Sequence, residues 1–530
     1  MNALDHRTLA DAWAWRVDQT PHRTALIFDE QPWRYRDLAV AAGGIAGRLA
    51  DHGVTAGERV ILLLDNGPTF IAAFLACQQL GAIPVPASPR SGAERMAYLC
   101  RDAGARLILI EPALGARHRA LHQAQPYAPL LLEVAAGADH PPRVAAAAPA
   151  GACAFIQYTS GSTGDAKGVM IGHDAVLENI RAFAAHMALA DGDLFASLLP
   201  LFHDMGLVCF GLAPLLLGHP LLLYRQDATS LYAWLGGIGR HRATISGAPD
   251  SLLQIANRVV AEPADYPLDS LRLLICGSEP VRRDSIDTFG ARFGVRHAIK
   301  PAYGMAELTL CATLTPHDAA CRVDAQGRVA SGRAVPGVEL WVRGADGRAT
   351  RQPGVSGEIL VASPSRMLGY WQRPQASAAA FDEAGRLATG DVGCLDADGW
   401  LYVVGRSKNL LIRGGEKYNP HDIEQAAQAF DAVRRAGVVQ TADGRIVAVL
   451  ETDRLLLGDA AALGELAAAL RRAAHQRAGI APDACWFVPG GAIPLTENGK
   501  MQHAALRRRI ECGELTPAWC DTPREPAHAA

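Results

Sequence analysis

Short apolar runs alternate with helical segments through roughly the first four hundred residues. Arg59–Leu64 predicts a buried strand, Pro68–Leu80 a helix with apolar residues at three- to four-residue spacing, and Ala82–Val85 the next strand. Further strands are predicted at Leu107–Ile110, Ala154–Tyr158, Leu221–Leu223, Ala243–Ile245 and Leu271–Cys276. Such alternation predicts largely parallel, doubly wound sheets, so the fold class is α/β.

The sequence changes character after about residue 323. Up to about residue 404, short strands separated by turn signals predict a mostly antiparallel unit, which we expect to be a distorted β-barrel. Helices predicted at Pro420–Phe430 and Ala460–Arg477 then indicate a small α+β unit. The 530 residues are therefore expected to form an N-terminal domain, 1–405, and a C-terminal domain, 406–530.

Composition excludes several functional classes. Charged residues make up 20% of the chain and the net charge is −3, which argues against binding nucleic acid or acidic lipid. Eleven cysteines without a C-x-x-C pair fit a reducing cytoplasm, and no targeting segment is evident. The apolar stretch Ser197–Tyr224 carries His203 and Asp204, which favours a buried strand, loop and helix over a membrane span. We expect Ala135–Ala150 to be a surface loop and Thr516–Ala530 a disordered tail.

One loop carries the densest chemical signal, and it directly follows the predicted strand Ala154–Tyr158. Its glycines let backbone N–H groups face one concavity, and its hydroxyls and lysine add donors that suit a polyphosphate. The candidate binding residues are Thr159, Ser160, Gly161, Ser162, Thr163, Gly164 and Lys167. Because Gly168 follows the lysine where a P-loop would have Ser or Thr, a P-loop NTPase fits poorly.

This loop resembles the phosphate-loop signature of the adenylate-forming superfamily, which comprises acyl-CoA ligases, peptide-synthetase adenylation domains, fatty acyl-AMP ligases and luciferases. Four more signatures of that superfamily follow in order, at Tyr303–Glu307, Thr389–Asp391, Gly405–Arg406 and Pro494–Lys500. Three further strings look most like fatty acyl-AMP ligases, namely Phe155–Tyr158, Leu199–Leu207 and Gly277–Arg282.

The resemblance implies roles for individual residues toward ATP and Mg²⁺. Lys500 would stabilise the charge that develops when a carboxylate attacks the α-phosphate, and Glu307 would hold Mg²⁺ against the phosphates. Asp391 would bind the ribose hydroxyls and Arg406 the ribose or phosphate. The expected adenine contacts are Gly277, Ser278, Glu279, Pro280 and Tyr303, and the neighbouring residues Gly304 and Met305 are also expected to bind the nucleotide.

The acid pocket is predicted from weaker signals. His203 would be a wall near the reacting carboxylate, or equally a structural histidine beside Asp204. Met205 and Cys209 would line an acyl tunnel or belong to the core. Gly247, Ala248 and Pro249 match a family segment that borders the pocket. Adenylation domains for α-amino acids usually carry a Phe-Asp string; here His203 separates the two residues, which weakens an amino-acid substrate.

Two departures from the fatty acyl-AMP ligase pattern concern the thiol acceptor. Only about two dozen residues separate Glu307 from Ser331, so the extra segment linked to poor use of CoA is absent or shortened. Gly414 and Gly415 would leave room for a pantetheine arm. The resemblance also implies that the C-terminal domain is a mobile lid, which rotates about Lys408 between activation of the acid and transfer of the acyl group.

The sequence therefore predicts ATP-dependent activation of a carboxylic acid, fatty or of a related non-amino class. The acyl group would pass to the phosphopantetheine of an acyl or peptidyl carrier protein in a biosynthetic pathway. The alternatives are an acyl-CoA ligase that uses free CoA, an enzyme that adenylates amino or aryl acids, and a non-catalytic nucleotide-binding relative.

Overall fold

The computed structural model describes residues 2–114, 129–137, 153–159, 166–227, 229–496 and 499–521, and only the backbone of Lys417. By its internal contacts the chain divides into two compact units. The first comprises Met1–Thr159, Lys167–Thr389 and Cys394–Val403. The second is formed mainly by Val404–Ala530, together with Gly390–Gly393.

The strands up to residue 406 are, in chain order, β1 (Thr24–Phe28), β2 (Gln31–Arg34), β3 (Arg59–Leu63), β4 (Ile83–Pro86), β5 (Leu107–Ile110), β6 (Leu130–Glu133), β7 (Cys153–Tyr158), β8 (Gly168–Gly172), β9 (Phe195–Ser197), β10 (Leu221–Leu223), β11 (Ile245–Ala248), β12 (Leu273–Cys276), β13 (Ile299–Gly304), β14 (Cys311–Leu314), β15 (Arg333–Ala334), β16 (Glu339–Arg343), β17 (Ala349–Thr350), β18 (Ser356–Ala362), β19 (Gly369–Tyr370), β20 (Leu387–Leu395) and β21 (Leu401–Arg406).

The α-helices over the same stretch are α1 (Leu9–Gln19), α2 (Tyr35–Asp51), α3 (Pro68–Leu80), α4 (Ala93–Ala103), α5 (His173–His186), α6 (Ala213–Leu217), α7 (Ser230–His241), α8 (Asp250–Val259), α9 (Arg283–Phe293) and α10 (Pro374–Ala379). Beyond residue 406 the elements are β22 (Leu411–Arg413), β23 (Glu416–Tyr418), α11 (Pro420–Gln428), β24 (Val433–Gln440), β25 (Ile446–Thr452), α12 (Ala460–Ala478), β26 (Ala484–Pro489), α13 (His503–Glu511) and β27 (Trp519–Asp521).

Two sheets of the first unit confirm the predicted α/β class. The larger has nine strands in the order β15-β14-β13-β12-β11-β9-β10-β1-β2, and its run from β13 to β1 is parallel. The smaller, β4-β3-β5-β6, is parallel throughout. Strands such as β11 and β12 are buried at every position. Continuous apolar runs of this kind are typical of parallel sheets covered by helices on both faces.

Helix α3 shows how the local sequence determines where an element begins and ends. Pro68 occupies its first position, where the missing N–H costs nothing, and Gly81 ends it in the left-handed conformation, with φ of 65°. Every residue from Pro68 to Gln78 is buried, so the helix lies inside the unit instead of covering it. Gln78 satisfies its amide by donating to the Ala154 carbonyl at 2.8 Å.

Two smaller sheets complete the first unit. One has the strand order β17-β16-β18-β20-β21 and covers the stretch with the predicted antiparallel texture. The other has the order β19-β8-β7, with β8 antiparallel to both neighbours. Because β7 leads into the predicted phosphate loop and β8 leaves it, this small sheet holds both ends of that loop.

The second unit has its own core around the sheet β24-β25-β26-β27. Helices α11 and α12 pack against it through Ile423, Leu463 and Leu470, all of them buried. Strand β27 shows that the predicted disordered tail was wrong for Trp519–Asp521. These residues pair with β26, because the Trp519 ring packs on Phe487 at 5.5 Å. The rest of that tail, 522–530, lies outside the described residues, as does most of the predicted loop Ala135–Ala150.

Two local predictions need adjustment in the first unit. The strand predicted at Ala243–Ile245 is displaced to Ile245–Ala248, because the Ala243 amide donates to Ile238 at 3.0 Å and so closes the end of α7. The apolar stretch after Ser197 contains a π-helix, Met205–Leu212, in which every residue is buried. Within the described ranges, every helix is too short or too polar to cross a membrane.

A buried carboxylate links several elements of the second unit. Glu424 on α11 is 5% exposed, and its oxygens lie 2.9 Å from His503 Nε2 and 3.4 Å from His421 Nδ1. It also accepts the Val438 amide at 3.0 Å. Burial alone raises the pKa of the Glu424 carboxyl, but the charge and hydrogen bonds of the two imidazoles outweigh burial and lower that pKa to about 2.

We expect Glu424→Gln to lower the free energy of unfolding of the second unit by about 1–3 kcal/mol, because it replaces the buried acceptor of the Val438 amide and the His503 ring with a weaker one. Native-state hydrogen exchange of residues 433–440 measures this loss, with the exposed Glu465→Gln on α12 as control.

The pH dependence has a definite sign. A carboxyl whose pKa falls from 4.5 to about 2 on folding adds stability above pH 4.5 and loses it as the pH falls toward 2. The gap between wild type and Glu424→Gln should therefore narrow below pH 4.5. A gap that widens there would contradict the assigned charge.

Candidate active site

Four neighbouring parallel strands end at one edge of the nine-stranded sheet. Gly277 comes directly after β12, Ala248 is the last residue of β11, Tyr303 lies near the end of β13, and His203 follows in the loop after β9. The carboxyl ends of parallel strands border the crevice where open α/β sheets bind ligands. The structure therefore brings the predicted adenine and acid-pocket segments of the first unit to a common edge.

The loop after β12 depends on close backbone approach. A Cβ at Gly277 would lie 3.2 Å from the Ala302 carbonyl oxygen, so this position favours glycine. Ser278 adopts a positive φ of 70°, and Glu279 accepts the Ser251 amide. Pro280 ends the loop at the surface. The predicted adenine loop is thus a fixed turn whose polar groups contact neighbouring segments.

Next to this loop lies an apolar wall. A Cβ at Gly247 would lie 2.4 Å from a ring carbon of Phe210 and 3.2 Å from Met205 Cε. Ser278 Oγ lies 3.5 Å from Met205 Sδ. Cys209 is buried, and burial raises the pKa of its thiol well above the usual range, so it stays neutral. These contacts join the predicted pocket residues to the adenine loop.

His203 precedes the π-helix and is held by its neighbour. Its Nδ1 lies 2.6 Å from Asp204 Oδ1, which also accepts the Met205 amide at 2.7 Å. The His203 side chain is 20% exposed. Upstream, Gln157 donates to the Phe202 carbonyl at 2.9 Å. The histidine is therefore both anchored to Asp204 and accessible from one side.

The two ends of the predicted phosphate loop are joined to each other. The Thr159 amide donates to the Lys167 carbonyl at 3.0 Å, and the Lys167 amide donates to Thr159 Oγ1 at 3.3 Å. Arg95 donates to the Thr159 carbonyl at 3.3 Å. The predicted residues Ser160, Gly161, Ser162, Thr163 and Gly164 lie outside the described part of the chain.

Glu307 sits in a tight turn after β13. Gly304 is required there, since a Cβ would lie 1.6 Å from the Leu310 carbonyl oxygen. Met305 precedes the 3₁₀ turn Ala306–Leu308 that carries the half-buried Glu307. No three His, Cys, Asp or Glu side chains gather as a metal site among the described residues. A single carboxylate suits Mg²⁺, which binds proteins through one or two carboxylates and substrate phosphates.

One residue at this turn was missed from sequence. Tyr370 Oη donates to Glu307 Oε1 at 2.9 Å, and the Lys167 Nζ lies 4.5 Å from the centroid of the Tyr370 ring. The local sequence hardly marks Tyr370 as a functional residue, because a tyrosine between Gly369 and Trp371 is not a distinctive pattern.

The remaining predicted residues belong to the second unit. Arg406 Nε lies 2.8 Å from Asp391 Oδ1, and the Asp391 side chain is 7% exposed. Lys408 is exposed in the 3₁₀ turn Ser407–Asn409. Lys500 closes a turn in which its amide donates to Thr496 Oγ1 at 3.0 Å and its carbonyl accepts the Thr496 amide at 2.7 Å.

Comparison with known proteins places this geometry in a family. Residues 13–371 match the family described as AMP-binding enzyme. Feruloyl-CoA synthase from an Amycolatopsis species is 31% identical over 515 residues, which cover 93% of this chain and 97% of the relative. A medium-chain-fatty-acid–[acyl-carrier-protein] ligase from Teredinibacter turnerae is 32% identical over 413 residues, which cover 69% of this chain and 64% of the relative.

A solved structure agrees with these relatives. It comes from a study of fatty acyl-adenylate ligases from E. coli and L. pneumophila, and it aligns with a TM-score of 0.85 at 27% identity, over 97% of this chain and 99% of that chain. The family match covers well over half of the chain. This chain therefore belongs to the AMP-binding enzyme family and is an AMP-forming ligase that activates a carboxylic acid.

Proposed function

We propose that this ligase activates a fatty or related non-amino acid and then transfers the acyl group to the phosphopantetheine thiol of a carrier protein. The apolar wall beside the adenine loop carries this proposal. Met205 and Phe210 are buried there against the bare backbone of Gly247, and Cys209 of the same π-helix is also buried. An apolar acyl chain placed against this wall gains about 25 cal/mol per Å² of surface removed from water.

An amino-acid substrate is less well supported. An α-ammonium group needs a carboxylate partner when it is removed from water. The carboxylates adjacent in sequence to the pocket segments already have partners: Asp204 contacts His203 and the Met205 amide, and Asp250 pairs with Arg282 at 3.0 Å. An aryl acid stays the second alternative, because a flat ring would also pack well against Phe210.

In the proposed first half-reaction, an oxygen of the acid attacks the α-phosphorus of ATP, and pyrophosphate leaves with the electron pair of the broken P–O bond. Lys500 would stabilise the added negative charge by a direct electrostatic contact. Glu307 would hold Mg²⁺, which when bound neutralises phosphate charge. Asp391 would accept hydrogen bonds from the ribose hydroxyls, and Arg406 would donate to the ribose or phosphate.

In the proposed second half-reaction, the thiol attacks the acyl carbon and AMP leaves. Gly414 and Gly415 form the turn between β22 and β23, with positive φ of 61° and 82°. No atom of the described chain lies within 4 Å of a Cβ built on either glycine, so the turn leaves room for a thin pantetheine arm. Lys408, exposed and solvated, is the proposed pivot between the two steps.

The acceptor is the point on which the relatives differ. The Teredinibacter relative is named for an acyl carrier protein, and the Amycolatopsis relative for CoA. Both acceptors present the same pantetheine arm to the Gly414-Gly415 turn. CoA is therefore the alternative acceptor to the carrier protein that we propose.

We expect Lys500→Ala to reduce acid-dependent ATP–pyrophosphate exchange by about 10²- to 10³-fold, as found when one charge-stabilising donor is removed. The exposed Arg508→Ala on α13 is the matched control and should keep wild-type exchange. Unchanged exchange in Lys500→Ala would exclude the assigned role. A panel of fatty, aryl and amino acids in the same assay identifies the substrate class.

We expect wild-type enzyme to load holo carrier protein in preference to CoA, as followed by mass spectrometry. Gly415→Leu should lower thioester formation about tenfold or more while exchange persists. The leucine side chain would occupy the space that we propose for the pantetheine arm, and such overpacking costs about 1–3 kcal/mol.

Gly444→Leu is the control for this variant. Gly444 also has a positive φ, 86°, in an open turn of the second unit, so it carries the same backbone strain. Equal loss of thioester formation in both variants would contradict the role of the Gly414-Gly415 turn. Preferential loading of CoA would favour the alternative acceptor.

A further inference from the structure

A short segment, residues 365–371, ties the exit of the phosphate loop to the turn that carries Glu307; we name it the bridging segment. At one end, the Met367 amide donates to the Glu307 carbonyl at 2.8 Å. At the other end, the Trp371 amide donates to the Gly168 carbonyl at 2.7 Å. Between them, β19 pairs with β8, setting Tyr370 opposite Val169.

The bridging segment is anchored by buried groups. Thr309 Oγ1 donates to the Ser365 carbonyl at 2.7 Å, and both residues are at most 2% exposed. The Trp371 indole donates to the Asp102 carbonyl at 3.0 Å. A Cβ at Gly168 would lie 3.3 Å from Trp371 Cβ, so the two strands approach closely at the loop exit. Tyr370 is therefore held by backbone pairing with β8 on one side and by its amide, which donates to Ser377 Oγ at 2.8 Å, on the other.

We infer that Tyr370 is a positioning residue that orients the Glu307 carboxylate for a metal ion and the Lys167 ammonium for the phosphates. The inference rests on the proposed adenylation chemistry. Its basis is that two parts of one side chain contact the two groups separately: the hydroxyl meets Glu307 and the ring face meets Lys167.

The hydroxyl contact determines how the carboxylate is presented. A phenol O–H that donates to Glu307 Oε1 restricts the rotation of the carboxylate, so that Glu307 would be pre-oriented to hold a metal ion. Residues that orient a metal ligand in this way raise the affinity of the site for the metal, and their removal typically lowers that affinity 10- to 100-fold.

The ring contact acts on the cation. An ammonium over a phenol ring is held by the negative face of the ring without losing its charge. A carboxylate in the same place would pair with Lys167 and neutralise it. By contacting both groups, Tyr370 therefore leaves the Glu307 carboxylate available to the metal ion and the Lys167 ammonium available to the phosphates.

Two substitutions separate these contacts. Tyr370→Phe removes the hydroxyl and keeps the ring, whereas Tyr370→Leu removes both. Tyr402→Phe is the matched control, since Tyr402 is also a buried phenol beside a carboxylate, Asp396, but lies on β21. Thermal unfolding followed by circular dichroism verifies that each variant is folded.

The first readout is binding, with Mn²⁺ as the probe in place of Mg²⁺. Electron paramagnetic resonance measures free Mn²⁺ as ATP and enzyme are titrated. We expect Tyr370→Phe to bind Mn²⁺·ATP about tenfold more weakly and metal-free ATP as wild type does. Tyr370→Leu should also weaken metal-free ATP binding, by about two- to fivefold. Wild-type Mn²⁺·ATP binding in Tyr370→Phe would overturn the inference, as would equal weakening with and without metal.

The second readout is exchange at varied Mg²⁺. Saturating Mg²⁺ should restore kcat in Tyr370→Phe but should not restore the raised KM for ATP in Tyr370→Leu. A kcat loss in Tyr370→Phe that Mg²⁺ does not relieve would also overturn the inference. Absence of acid-dependent exchange in wild type would instead overturn the proposed function, and the Mn²⁺ titration would still decide the role of Tyr370.

Discussion

The central strands of the nine-stranded sheet run parallel, so each connection must return across a face through a crossover, and the crossover helices bury both faces of the sheet. Parallel strands end at the same edge, so β9, β11, β12 and β13 deliver their following loops to one place. Residues as distant in sequence as His203 and Tyr303 therefore share one border. The segments proposed to bind adenine and the acid depend on this topology before any side chain is considered.

Polar contacts then fix the side chains of the loops at this edge of the sheet. Asp204 fixes the His203 ring, and the Ser278 hydroxyl reaches the Met205 sulfur. These groups form a polar rim beside a wall that is apolar and neutral, because burial keeps the Cys209 thiol protonated. This contrast suits a substrate with one charged end and an apolar body.

The sequence predicted what is local and missed what is distant. Strand and helix positions followed from continuous apolar runs, and α3 was predicted with its observed ends because a proline and a glycine punctuate it. Tyr370 was not predicted, because its hydrogen-bond partner Glu307 lies 63 residues away and no spacing rule links the two. The strand predicted at Ala243–Ile245 was displaced for a similar reason. Whether Ala243 continues a strand or closes a helix depends on where its amide finds an acceptor.

The π-helix Met205–Leu212 affects how the proposed acid pocket can change in evolution. A π-helical turn accommodates one residue more than an α-helical turn, and each residue of an α-helix advances by about 100° around the axis. Removing one residue here would return the segment to α-helical winding and rotate everything on one side of the deletion by about that angle. Met205 and Phe210 would then no longer both face Gly247. The shape of the proposed acid pocket is thus open to change by single insertions and deletions, which rotate part of the segment in a way that substitutions do not.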